Sequence, residues 1–200
     1  MKLFYSATSP FVRKVMACAI TRGIDGQIER FSVNPHLSPP ELLAHNPLSK
    51  VPCLVTDDGL ALFDSPVICE YLDSIGDAQP LFPEHGATRW RALKQQAIGD
   101  GILDAAVLRR MEQGRPREAA RDAVIERQRQ AVGRSLDVLE ADIPHRGTDI
   151  GSITIACALG YLDFRFAEDT WRATRPQLAH WFDVLAQEPG IAHTAPRDRS

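Results

Sequence analysis

Between Asn46 and Pro66 the chain is punctuated so closely that few folds can accommodate it. Pro52 stands where a strand should begin, and a proline there removes a ladder donor and leaves the preceding backbone groups free for something other than a sheet partner. Cys53 to Thr56 is a short apolar run, Asp57-Asp58-Gly59 reads as a hairpin turn, and Leu60 to Phe63 forms a second run. Ser65-Pro66 then predicts a helix start, with Ser65 as N-cap and Pro66 at the first helical position. A donor-rich loop, an antiparallel hairpin and a helix N-terminus thus follow one another within about twenty residues. Such an arrangement suits a small extended ligand that carries a carboxylate.

The residues before this stretch supply a parallel crossover. Leu3 to Tyr5 reads as a short buried strand, and Ser9-Pro10 opens a helix that runs to about Arg22 and stops at Gly23. Phe11, Val15, Cys18 and Ala19 recur at helical spacing, and Arg13 and Lys14 fall on the more polar side. Ile28 to Val33 reads as a second strand with no cleanly apolar face, and Glu41 to His45 as a single helical turn. The expected order is β-α-β-(α)-β-β-α, with Gly76 ending the last helix.

After Gln79-Pro80-Leu81-Phe82-Pro83, a linker whose two apolar residues pin it down, the strand-like runs disappear. Helical periodicity covers Thr88 to Gln113, with a bend near Gly99 and Gly101, then Glu118 to Asp142, Ser152 to Phe166 and Pro176 to Gln187. The second of these carries the stripe Ile125, Val132, Leu136, Leu139 and Ile143. The third is almost wholly apolar and reads as a buried central helix. The expected division is an α/β domain over residues 1–76, a linker over 77–86 and an all-helical domain over 87–200.

Composition closes off several function classes. A formal net charge of -3 gives no electrostatic reason to expect nucleic acid as a partner. No apolar run approaches the roughly 18 residues of a bilayer span, and the polar Ser6 follows too soon after Met1 for a signal peptide, which predicts a cytoplasmic protein with no membrane partner. The four cysteines, Cys18, Cys53, Cys69 and Cys157, form no C-x-x-C pair and read as buried reduced thiols. With the six histidines dispersed as well, no metal site is expected.

Three places can carry chemistry, each with a structural reading beside the functional one. Ser9 has work to do as an N-cap. The same hydroxyl, at a helix N-terminus, can also donate to a thiolate. Lowering a thiol from about 8.5 by two units takes roughly 2.7 kcal/mol, within reach of one charge-assisted hydrogen bond and a helix terminus. Ser65 can cap its helix, or its hydroxyl and the helix N–H groups can receive a ligand carboxylate while Asp64 receives an ammonium group. Val51, held extended before Pro52, can offer its N–H and C=O to a peptide backbone, and a cis Val51–Pro52 bond would fix that presentation. Lys50 can hold a second carboxylate or remain solvated. Together the sites ask for a peptide with an amino-acid head, a thiol in the middle and a carboxylate tail.

On these residues the chain resembles the cytosolic glutathione S-transferases over essentially its full length. Ser9-Pro10-Phe11-Val12-Arg13-Lys14-Val15 is similar to the Ser-Pro-Phe-x-x-Arg start of serine-type members, particularly tau-like and small bacterial ones. Asn46-Pro47 with Lys50-Val51-Pro52 is similar to the family's cis-proline loop, and Asp64-Ser65 stands at its Glu-Ser or Asp-Ser dipeptide. The resemblance implies a thioredoxin-like N-terminal domain that binds glutathione, an all-α C-terminal domain that helps hold a small hydrophobic electrophile, and a homodimer. It also implies that Ser9 activates the glutathione thiol, that Val51 pairs with the cysteinyl backbone, that Asp64 and Ser65 hold the γ-glutamyl end and Lys50 the glycyl carboxylate, and that Phe11 lies near the sulfur. Pro52 would be the structural cis-proline. Glutathione is then a substrate, and no cofactor is expected.

One departure concerns the buried helix, which many members begin with a Ser/Thr-x-x-Asp capping box. Ser152-Ile153-Thr154-Ile155 puts isoleucine at the third helical position, which predicts that the box is lost. The absence of cysteine at position 9 argues against thiol transfer through a protein cysteine. The expected function is a glutathione S-transferase with a detoxification-type reaction. The alternatives are a non-catalytic transferase-like protein-interaction module, or a glutathione-dependent peroxidase or isomerase on the same site.

Overall fold

Leu3 and Phe4 are consecutive in a strand and therefore point to opposite faces, yet both are fully buried, so the centre of the sheet they begin is covered on both sides. The computed structural model describes residues 1–197, and the chain divides into two units. In the first, β1 (Lys2–Tyr5) is followed by α1 (Pro10–Thr21), β2 (Glu29–Ser32), α2 (Pro40–Leu43), β3 (Cys53–Val55), β4 (Ala61–Leu62) and α3 (Ser65–Ile75). The sheet order is β2-β1-β3-β4. β1 runs parallel to β2 and antiparallel to β3, with Phe4 opposite Cys53, and β3 runs antiparallel to β4, with Leu54 opposite Leu62. β2 is an edge strand with all four residues exposed, in keeping with its lack of an apolar face. This is the expected α/β N-terminal fold, with short 3-10 turns at Asp25–Gln27 and Pro35–Leu37.

α1 buries Val15, Cys18 and Ala19, as its spacing predicts, whereas Phe11 is only half-buried and the neighbouring Val12 is buried. Arg13 and Lys14 depart from expectation, because both are buried instead of lying on a solvated side. The Arg13 guanidinium donates to the backbone carbonyl of Ile191 at 3.4 Å, so the C-terminal segment covers that flank. Arg22, also buried, closes the end of the same helix. Its guanidinium donates to the carbonyls of Asp73, at 2.9 Å, and Gly76, and its Nε lies 3.2 Å from the Asp73 carboxylate. That carboxylate in turn accepts from the N–H groups of Leu81 and Phe82 at 2.7 and 3.0 Å. Leu81 and Phe82 are buried, and the linker is pinned by backbone as well as by side chain.

The second unit, His85–Glu188, is helical: α4 (Gly86–Gln113), α5 (Ala119–Ala141), α6 (Ile150–Arg165), α7 (Trp171–Thr174) and α8 (Pro176–Leu185). α6 is buried without interruption from Ile150 to Leu162, the central helix that its composition predicts. Among the described residues no single helix is long and apolar enough to cross a membrane. α4 continues as one element through Gly99 and Gly101, and the reason for one of those glycines is close packing. A Cβ at Gly99 would lie 2.8 Å from the Thr154 methyl and 2.9 Å from its backbone carbon on α6. α8 buries Leu178, Trp181, Phe182 and Leu185 at helical spacing.

The capping box of α6 is present, which corrects the expectation of its loss. It begins three residues earlier and uses different side chains: Asp149 is the N-cap and Ser152 the third helical residue. The Asp149 carboxylate accepts from the Ser152 N–H at 2.8 Å, and the Ser152 hydroxyl accepts from the Asp149 N–H at 2.9 Å. Both residues are buried, so these donors have no access to water as a substitute. Asp149→Ala is expected to cost about 1–2 kcal/mol of stability, read as a lower urea midpoint, while Asp149→Asn keeps the acceptor and most of the stability.

The last helix among the described residues, α9 (Pro189–Ala192), groups with the first unit. Helical secondary structure thus occurs on both sides of Glu188, with Pro189–Ala192 grouped with the first unit and His85–Glu188 forming the second. Gly190 makes this return possible, since a Cβ there would lie 2.7 Å from the Ala17 carbonyl oxygen and 2.5 Å from the Thr21 hydroxyl of α1.

Candidate functional site

Strand register brings the three motif segments to one end of the first unit's sheet. The C-terminal end of β1 is paired with the N-terminal end of β3, Phe4 opposite Cys53. β4 runs antiparallel to β3, so its C-terminal end leaves at the same edge. The Ser6–Ser9 loop, Lys50-Val51-Pro52 and Phe63-Asp64-Ser65 therefore all emerge together. Val51 and Phe63 pack on one buried cluster formed by Phe4, Val33, Leu42 and Cys53.

Ser9 is the N-cap of α1, with extended backbone at φ -74 and ψ 120, and Pro10 follows in the first turn. Its hydroxyl oxygen accepts from the Val12 N–H at 3.3 Å. A hydroxyl that accepts through a lone pair keeps its own hydrogen for donation, so capping and ligand binding do not compete for the same atom. Phe11, the next side chain but one, is half-buried.

The loop ahead of β3 is held by Asn46, a buried residue to which the sequence alone assigns no task. Its amide donates to the Lys50 carbonyl at 2.9 Å, and its side-chain oxygen accepts from the Leu48 N–H at 3.0 Å. The signal for it was the Asn-Pro pair, since a short amide side chain that bonds to its own following backbone favours a turn. Ser49 sits in the left-handed region at φ 50, and its hydroxyl donates to the Pro35 carbonyl at 2.9 Å. Lys50 is exposed and Val51 half-buried. The Val51–Pro52 peptide bond is cis, and the sheet ladder begins only at Cys53, which leaves Val51 outside it.

At α3 the position of the cap differs from expectation. Ser65 is the first helical residue, and Asp64, extended at φ -89 and ψ -159, occupies the N-cap position without a side-chain cap bond. The Phe63–Asp64 peptide bond is also cis. The Ile68 N–H reaches the Asp64 carbonyl at 3.1 Å, and the amides ahead of it form the open positive end of the helix. Asp64 is exposed and Ser65 buried.

Cys53 lies directly beyond the cis-proline, and burial pushes its thiol up to about 11. It is a protonated thiol at neutral pH, so no nucleophilic thiolate is supplied from this position. Among the described residues no group of three or more His, Cys, Asp or Glu side chains is placed to hold a metal ion. The arrangement offers one hydroxyl donor, one unpaired strand residue and one open helix terminus with an adjacent carboxylate. Such a set can bind a short peptide along its length while exposing a sulfur to Ser9.

Comparison with known proteins finds relatives along nearly the whole chain. Residues 8–75 match the family model of the glutathione S-transferase N-terminal domain, and residues 122–183 that of the C-terminal domain. The chain is 38% identical over 202 residues to the uncharacterized GST-like protein YibF of Escherichia coli K12, covering 98% of each. It is similar to a glutathione transferase family member from Pseudomonas fluorescens Pf-5, crystallised with bound glutathione, at 40% identity and a TM-score of 0.92 over 98% of this chain and 99% of that one. A glutathione S-transferase from Methylobacillus flagellatus KT with glutathione bound matches at 34% identity and a TM-score of 0.88, again over 98% and 99% of the two chains.

Proposed function

The chain belongs to the glutathione S-transferase family, and from that premise we propose that it is a serine-type glutathione transferase that conjugates glutathione to a small hydrophobic electrophile. The glutathione thiol loses its proton to bulk water, and Ser9 donates its hydroxyl hydrogen to the resulting thiolate. The thiolate attacks the electrophilic carbon and forms the thioether as the leaving group departs with its electron pair or, at an activated double bond, as the displaced π pair takes up a proton from water. Val51 pairs with the cysteinyl backbone of glutathione. Asp64 takes the γ-glutamyl ammonium, and Ser65 with the first amides of α3 takes its carboxylate. Lys50 holds the glycyl carboxylate, and Phe11 lines the sulfur's surroundings. Pro52 fixes the Val51 presentation. Glutathione is the substrate and no further cofactor takes part; the protein acts as a cytoplasmic homodimer.

The observation that carries this reading is the open N-terminus of α3, uncapped by Asp64, at the same end of the sheet as Ser9. A helix terminus left without a side-chain cap favours a ligand carboxylate there. Titration calorimetry tests it directly. Saturable heat with glutathione, reduced by about tenfold in affinity in Asp64→Ala, is the expected result. Absence of heat at millimolar glutathione points instead to a transferase-like interaction module.

A further inference from the structure

A cavity of about 520 Å³ opens in the second unit, between residues 143–146 and one face of α8. That volume lies within the roughly 300–1,000 Å³ of small-molecule sites. On α8 the lining recurs once per turn, at Pro176, His180, Val184 and, beyond the helix end, Glu188. Ile143, Pro144, Trp181 and Leu185 add apolar wall, and Trp181 and Leu185 are only 4% and 3% exposed.

Most of the polar groups that border this cavity are already engaged. The Trp181 indole N–H donates to the His145 carbonyl at 3.2 Å, so the ring contributes surface and no spare donor. His145 has both nitrogens occupied: Nδ1 accepts from the Gly147 N–H at 2.8 Å, and Nε2 lies 2.6 Å from the Asp149 carboxylate. The N-terminus of α8 is filled by Glu140, whose carboxylate accepts from the N–H groups of Gln177 and Leu178 at 3.2 and 2.7 Å. Of the other polar side chains of the lining, Gln177 carries no charge, and Arg146 and His180 are the basic groups that remain. Both are exposed at the rim, and neither is paired with a carboxylate among the described residues. Glu188 is the one acidic side chain of the lining, and it lies beyond the C-terminal end of α8.

We propose that this cavity binds an aromatic monocarboxylate, with the flat body between the prolines and Trp181 and the carboxylate on Arg146 and His180. The exposed ring of Pro176, over a floor to which the largely buried Pro144 and Trp181 contribute, matches a flat aromatic ring better than a flexible alkyl chain. Glu188 repels a second negative charge on the ligand, which selects a monoanion over a dianion. The inference does not rest on the proposed transferase activity, since every residue of the site lies in the second unit.

The probe is 1-naphthoate, titrated calorimetrically into the full chain, with 1-naphthamide and decanoate as comparators. The expected result is one saturable site per chain for naphthoate, with about tenfold weaker binding in Arg146→Gln and about tenfold weaker binding of the uncharged amide. Val184→Asp, which adds a like charge on an exposed wall, abolishes it. Both positions are exposed, and unchanged thermal midpoints of the variants establish that they fold. Any of four results overturns the proposal: no saturable heat with naphthoate, equal affinity for naphthamide, indifference to Arg146→Gln, or tighter binding of decanoate. Displacement of naphthoate by glutathione also overturns it, because the probe then sits in the first unit.

Discussion

Ser9→Gly is expected to lower glutathione-dependent turnover by about two to three orders of magnitude, the scale of losing one donor aimed at a developing negative charge. Glycine is the informative replacement because Ser9 also caps α1. Alanine at an N-cap costs about 1 kcal/mol, whereas glycine costs only a few tenths, so a loss of rate in the glycine variant is not a loss of fold. The pH profile separates the two roles further. Without the hydroxyl, the bound thiol returns toward about 8.5, and the variant's rate should climb through that range while the parent has already levelled off. Ser9→Thr, which keeps both the cap and the hydroxyl, should retain most of the rate. Turnover in Ser9→Gly equal to that of the parent, measured on any electrophile the parent conjugates, would remove Ser9 from the reaction.

Gly99→Ala and Gly101→Ala are expected to move stability in opposite directions although they lie two residues apart on one helix. Both changes gain about 1 kcal/mol of helix propensity. At Gly101 the new methyl meets nothing within 4 Å, and that gain is kept. At Gly99 it would meet the backbone of Thr154 and Ile155 at 2.9 and 3.0 Å, atoms that cannot turn aside as a flexible side chain would. Separating α4 from α6 there loosens the helix on which the whole second unit packs, at a net cost of about 1–3 kcal/mol. Urea midpoints of the two variants are the measurement. Coincident midpoints would mean that the close approach of the two helices carries no energy.

The parts of this protein that were legible in its sequence are those where one residue type has few structural uses. Pro10, Pro52 and Pro66 each fix a backbone angle and remove a donor, and they mark the start of α1, the start of β3 and the first turn of α3. The apolar run from Ile153 to Leu162 has no fate in water other than burial, and α6 is the buried helix. Legibility failed where a side chain's role depends on what the rest of the chain lays against it. Arg13 and Lys14 look solvated on a helical wheel and are both buried, Arg13 because α9 arrives from the far end of the sequence. The α6 box was missed because Asp149 lies outside the apolar run and its partner is a serine instead of an acid. The α3 cap falls on Asp64 instead of Ser65, which becomes the first helical residue, a one-residue shift that composition does not resolve.

The return of α9 to α1 has a bearing on how the protein comes into being. Everything needed for the sheet is translated by Glu84, but Ala17, Thr21 and the Arg13 guanidinium meet their covering backbone only when Gly190 and Ile191 have been made. On a ribosome the helical unit can therefore assemble while the α/β unit still exposes one flank of its first helix. A chain released short of Pro189 carries the residues proposed to handle glutathione and lacks the helix that covers Arg13, Ala17 and Thr21 of α1. The α/β unit is thus encoded first and closed last.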